Sequence, residues 1–294
     1  MEFGIVKKPV ITVYEGPYTE KNGETGMVSS IADEGLYGMI FAASGKEEHG
    51  FVPVKTFYGY EGYVRKEDLI WVSEQDARAW ENSNLMVISG PVVDVVSVPR
   101  VQGVRLETLY RGSMLRVLEF QSEAEGWSKA GLADGRTGYV RNQYLRKKEF
   151  SQSGVFSGIL PQKKVEEMPF RIAAAEWALS FLHTQYRWGG RSTAGIDCSG
   201  LTSVCYMMNG ILIYRDAKIA EGFPVKNIPV ERVKKGDLLY FPGHIAMYLQ
   251  DGRYIHSTGK VGSGGVVINS LHPQDEDFRQ DLKDSLYAAG SIFA

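Results

Sequence analysis

The stretch YRWGGRSTAGIDCSGLTSVCYMMNG, residues 186–210, decides how the C-terminal part of this 294-residue chain is read, and it holds both cysteines. From Cys198 onward, Leu201, Val204, Cys205 and Met208 recur at the spacing of one apolar helix face. Cys205 therefore belongs to a core. Asp197 or Ser199 can serve the backbone donors at the helix start, which puts Cys198 in the first turn, directly after a Gly-rich loop. Unpaired N–H groups and the positive end of the macrodipole favour an anion there, and a neighbouring imidazolium depresses a thiol further. The setting predicts a reactive Cys198 held as a thiolate.

A thiolate attacking an amide needs a proton shuttle, and histidine is the natural one. Five are present. His49 in a charged loop, His183 in a last helical turn and His272 in a polar segment have structural explanations. His244 opens the strand-like HIAMYL and His256 sits in YIHSTG. With Cys198 they fit a nucleophile, a base and a third group that orients the base. Cys198, His244, His256 and Asp197 could also ligate zinc, but there is no C-x-x-C or H-x-x-x-H pair, so no metal or other cofactor is expected.

Length suggests two or three domains. Apolar content of 44% and charged content of 23% fit an ordinary globular protein, and a net charge of −2 gives no general pull toward nucleic acid. No apolar run reaches membrane-spanning length, so membrane insertion is not expected. The start, MEFGIVKKPVITVYEG, lacks the apolar core of a secretory signal, and two cysteines make no disulfide framework. A cytoplasmic monomer is the expectation; a removed signal would make it secreted or wall-associated.

Two stretches repeat one pattern: LYGMIFAASGKEEHGFVPVKTFYGYEGYVRKEDL from Leu36, and LYRGSMLRVLEFQSEAEGWSKAGLADGRTGYVRNQYL from Leu109. Both begin LY and close on GYVR, a polar pair and Leu, with short β-rich segments between Gly and acidic turns. They resemble bacterial SH3-like domains, at residues 1–75 and 85–148. SQSGVFSGILPQKK, from Ser151 to Lys164, is rich in Ser, Gly and Pro, and residues 149–164 read as a linker. Residues 165–294 read as an α+β domain. A first helix starts near Pro169, shows a face of Ile172, Ala175, Leu179 and Leu182 and ends near His183; the Cys198 helix follows, then the antiparallel strands GDLLYF, HIAMYL and RYIHS.

RWGG…GIDCSGL, GDLLYFPGHIAMYL and YIHSTG, in that order, resemble the NlpC-type family of papain-like cell-wall cysteine peptidases. The resemblance implies a papain-like α+β domain behind two small SH3-like β-barrels. It implies hydrolysis of the γ-D-glutamyl bond to a diamino acid, Lys or meso-diaminopimelate, in peptidoglycan stem peptides. By motif, Cys198 is the nucleophile, His244 the general base and His256 the residue holding its tautomer. Tyr186, with the Cys198 backbone N–H, is an oxyanion donor. Asp197, Ser199 and Trp188 line the substrate cleft. Asp216, in YRDAK, corresponds to an Asp that holds the free amine of the substrate's L-Ala, with Glu34 and Tyr60 as candidates for the partners that the first SH3-like module supplies. A closed amine pocket implies release of L-Ala-γ-D-Glu from trimmed muropeptides, a cytoplasmic recycling role. The alternatives are a non-catalytic wall-peptide-binding protein and an amidase on the same scaffold.

The hairpin poses a geometric condition. If Asp251-Gly252 forms an ideal two-residue turn, Gln250 pairs with Arg253 and residue 259 falls opposite His244. His256 then lies three positions away, roughly 10 Å along the strand and on the other face. A bulge or wider loop is required for the two histidines to meet.

Overall fold

The structure, a computed structural model, describes residues 2–120, 126–161 and 163–294. The chain divides into two compact units, Met1–Ile159 and Leu160–Ala294.

The first unit contains two seven-stranded antiparallel sheets with one topology. In the first sheet the order is Ile31–Leu36, Val10–Tyr14, Glu61–Arg65, Phe51–Thr56, Ile40–Ala43, Phe3–Val6, Leu69–Val72. In the second it is Arg105–Tyr110, Val92–Val96, Thr137–Arg141, Trp127–Gly131, Met114–Phe120, Leu85–Ile88, Leu145–Lys147. The sequence repeat is thus a repeat of fold, with one extra hairpin (Glu20–Gly23, Gly26–Ser29) in the first copy. The GYVR motif has the same physical meaning in both. Val64 and Val140 point inward and are fully buried. The glycine lets a second strand cross close above it: a Cβ at Gly62 would lie 2.5 Å from Val13 Cγ1, and one at Gly138 2.8 Å from Val95 Cγ1. A short 3₁₀ turn follows, and Leu69 or Leu145 opens the strand that pairs back onto the first strand of its own copy. Tyr37 ties the copies together, because its ring is buried in the second copy's core and its hydroxyl accepts a 2.7 Å bond from the Ala133 N–H.

Part of the segment read as a linker is packed. Phe150 stacks on Phe57, Phe156 packs on Phe3, and the buried Gln152 is bonded to Glu81 and to the Ile40 N–H. Composition signalled a linker because Ser and Gly dominate, but two aromatics and one glutamine suffice to anchor it.

In the second unit, two helices, Glu167–Leu179 and Cys198–Met208, precede a six-stranded antiparallel sheet. Its order is Lys226–Ile228, Ala288–Ser291, Leu238–Phe241, His244–Gln250, Arg253–Thr258, Gly265–Ser270. The Cys198–Met208 helix is buried along its whole length, which is why its apolar content runs all round it. The first helix differs from expectation. It ends at Leu179, Pro169 is its third residue, and Ile172 and Leu179 are exposed; the buried face is Phe170, Arg171, Ala174, Ala175 and Ala178. Small alanines allow close packing, and Arg171 is buried because Asp237 (2.8 Å) and the Lys235 carbonyl (2.8 Å) satisfy its guanidinium.

Candidate active site

The sequence around Cys198 is dictated by close backbone approach. A Cβ on Gly200 would sit 2.1 Å from the Gly190 carbonyl oxygen, so the helix can begin against the RWGG loop only with glycine there. Asp197 is the N-cap, its Oδ1 accepting from the Gly200 N–H at 2.6 Å. Arg215, 2% exposed, grips both oxygens of that carboxylate (3.1 and 2.9 Å), donates to Ser199 Oγ (2.7 Å) and reaches the Gly189 carbonyl (3.0 Å). Asp197 and Ser199 were expected to line the substrate cleft. Both are as buried as Cys198 and are engaged by Arg215 and the helix start, so they hold the backbone of Cys198 in place.

The histidines are brought together by a defect in the sheet. Asp251 (φ 50°) and Gly252 (φ 74°) form the two-residue turn, and Gln250 pairs with Arg253. The register then shifts by one: Tyr248 pairs with Tyr254 and Met247 with Ile255, leaving Leu249 as the bulged residue. His256 thereby returns to the face of His244, and His244 Nε2 lies 2.7 Å from His256 Nδ1. His256 Nε2 lies 2.9 Å from Asn269 Oδ1, and the Asn269 amide donates to the Asp277 carbonyl at 2.8 Å. The geometric condition set by the sequence is met by the bulge.

The Cys198 sulfur sits at the start of the histidine strand, where the N–H groups of Ile245 and Ser199 favour its anion. Burial is the larger effect, with Asp197 adding to it, and together they push the thiol up to about 11. Burial likewise pushes His244 down to about 4 and, with His244 beside it, His256 down to about 3. Burial thus works against the standing thiolate expected from the helix start. These directions favour a neutral Cys198 thiol and a neutral His244 imidazole, because desolvation of the buried cysteine outweighs the first-turn donors. Such a pair can still generate a nucleophile by passing the proton to the imidazole as attack occurs.

Tyr186 enters from the loop before Cys198. Its N–H bonds the Gly264 carbonyl (3.0 Å), it bridges to Ile196, and Gly259 leaves room for its ring. Burial first, then the charges of Cys198 and Asp197, push its hydroxyl up to about 12, so it remains a hydrogen-bond donor at neutral pH. Trp188 is 62% exposed. Asp216 is half-buried, and the Tyr214 hydroxyl bonds its carboxylate. Glu34 and Tyr60 belong to the first unit, Glu34 buried in the strand Ile31–Leu36 beside Thr12. Sequence reasoning missed three features: the clamp made by Arg215, the amide of Asn269 and the Ile245 N–H. Arg215 left a signal, an arginine closing the apolar run ILIY; a lone Asn in VVINS left none.

Residues 183–277 match the NlpC/P60 family. Dipeptidyl-peptidase 6 of Lysinibacillus sphaericus is 38% identical over 271 residues, 92% of this chain and 95% of that protein. A gamma-D-glutamyl-L-lysine dipeptidyl-peptidase of Bacillus cereus is 40% identical over 87 residues, 26% of this chain and 25% of its own. The crystal structure of an NlpC/P60 family protein from Bacillus cereus superposes with a TM-score of 0.75 at 18% identity, covering 99% of this chain and 100% of that one, and shares the fold. The sheet carrying two bonded histidines behind a helix that opens on cysteine is thus the papain-like fold, and the protein belongs to the NlpC/P60 family, among its peptidoglycan-related dipeptidyl-peptidases.

Proposed function

We propose that the protein is a cysteine peptidase that hydrolyses the γ-D-glutamyl bond to the diamino acid of peptidoglycan stem peptides, releasing L-Ala-γ-D-Glu. The observation that carries the reading is the His244–His256 contact made by the bulged hairpin, in the strand whose Ile245 N–H meets the Cys198 sulfur. The relatives' names support the bond: a gamma-D-glutamyl-L-lysine dipeptidyl-peptidase is similar across the catalytic stretch. In this mechanism Cys198 Sγ attacks the γ-carbonyl carbon while its proton passes to His244. The oxyanion is bound by the Tyr186 hydroxyl and the Cys198 backbone N–H. His244 returns the proton to the departing amine, and water activated by the same imidazole cleaves the thioester.

Release of a dipeptide requires the substrate's amino terminus to be counted, and Asp216 is the carboxylate of this unit assigned to that ammonium, with Trp188 at the rim. The two seven-stranded repeats are assigned as SH3-like modules, and the place of action as the cytoplasm, on muropeptides already trimmed from glycan. The test compares L-Ala-γ-D-Glu-L-Lys and its diaminopimelate counterpart with their N-acetylated forms. The reading predicts cleavage of the free-amine peptides at the γ-D-glutamyl bond and a large loss of kcat/KM on acetylation. Equal turnover of the acetylated peptides would remove the amine pocket; cleavage at another bond would remove the proposed activity.

A further inference from the structure

The hydrogen-bonded chain behind His244 has only one consistent direction. The carbonyl oxygen of Asp277 can only accept, so the Asn269 side chain must present its NH₂ there, at 2.8 Å, and its oxygen to His256. Facing that oxygen at 2.9 Å, His256 Nε2 must carry a proton. A neutral imidazole protonated at Nε2 has its lone pair at Nδ1, so His256 accepts from His244 Nε2–H across 2.7 Å. His244 is then protonated at Nε2 and basic at Nδ1. Reversing any link sets two acceptors against each other, at His256 and Asn269 or at Asn269 and the Asp277 carbonyl. His256 is fully buried and Asn269 is 9% exposed, so little water reaches the chain to relieve such a clash.

We propose that Asn269, oriented by the Asp277 carbonyl, is a positioning residue that fixes the tautomers of both histidines and so keeps Nδ1 of His244 free to take a proton. This deepens the peptidase reading, since a free Nδ1 matters for catalysis only if His244 serves Cys198. The device is directional: it begins at a backbone acceptor that cannot be protonated or flipped, and each member inherits its polarity from the one behind it. An unsatisfied buried acceptor disfavours the reversed tautomer by on the order of 10- to 100-fold.

The test is long-range ¹H–¹⁵N NMR of the full chain labelled at histidine, with resonances assigned by replacing histidines one at a time. At pH 7.5 both His244 and His256 are expected as the Nε2–H tautomer in the wild type. Asn269→Leu removes the acceptor: the Nδ1–H form of His256 becomes observable, and kcat falls about 10- to 100-fold at nearly constant KM. Asn269→Asp keeps an oxygen facing His256 and is expected to retain the Nε2–H tautomer and recover part of kcat. A wild-type His256 in the Nδ1–H form would overturn the inference without any variant, as would unchanged tautomers in Asn269→Leu. If the tautomers behave as stated while no stem peptide is cleaved, the positioning role stands and the peptidase reading fails.

Discussion

Lowering the pH tests the burial of the two histidines quantitatively. His244 at about 4 and His256 at about 3 lie far below the 6.5 of an exposed histidine, because burial penalises their charged forms. The unfolded chain binds these protons near pH 6.5 and the folded chain only near 4 and 3, so stability conferred by the neutral pair is present above 6.5 and lost as pH falls toward 4. Between pH 7 and pH 5 each histidine accounts for a loss of about 2 kcal/mol. Urea unfolding followed by the helical circular dichroism signal reads the second unit, which holds the two longest helices. The informative comparison is His256→Gln against wild type, since other groups titrate alike in both. The variant is less stable at pH 7, and its pH 7 to pH 5 loss is smaller by about 2 kcal/mol. Identical pH slopes would refute the assignment of His256 as a buried neutral imidazole.

Tyr186→Phe removes one proposed oxyanion donor and is expected to lower kcat by about 10² to 10³ with little change in KM, measured by steady-state kinetics on the stem tripeptide. A loss confined to KM would place Tyr186 in substrate binding. Gly200→Ala forces a Cβ against the Gly190 carbonyl and should destabilise the second unit by about 1–3 kcal/mol or more in the same unfolding assay. Alkylation of Cys198 by iodoacetamide should accelerate as pH rises toward the alkaline range, because burial raises the thiol pKa; a flat profile between pH 5 and 8 would reveal a standing thiolate–imidazolium pair.

What the sequence disclosed follows from the range of the interactions involved. The Cys198 helix was legible because its start and apolar spacing are local, and the GYVR repeat because strand alternation and one tight crossing recur at fixed spacing. The hairpin could be read as far as a contradiction: the Asp251-Gly252 turn puts His256 on the wrong face, so a bulge or wider loop was implied, but the position of the bulge at Leu249 cannot be counted from the turn. The helix start that favours a Cys198 anion is visible in sequence, while the burial that opposes it is not. The first helix's buried face was misassigned for a related reason: alanines carry a weak apolar signal yet allow the closest approach. Asn269 and the Asp277 carbonyl were invisible, since an amide and a main-chain oxygen acquire meaning only once His256 stands beside them.

The most direct measurement on the central claim is intact-mass analysis of the protein acid-quenched during turnover of L-Ala-γ-D-Glu-L-Lys, with the modified peptide sequenced. An increment equal to the L-Ala-γ-D-Glu acyl group, located on Cys198 and absent from Cys198→Ala, is the predicted result. An acyl group on another residue, or undiminished hydrolysis by Cys198→Ala, would contradict it.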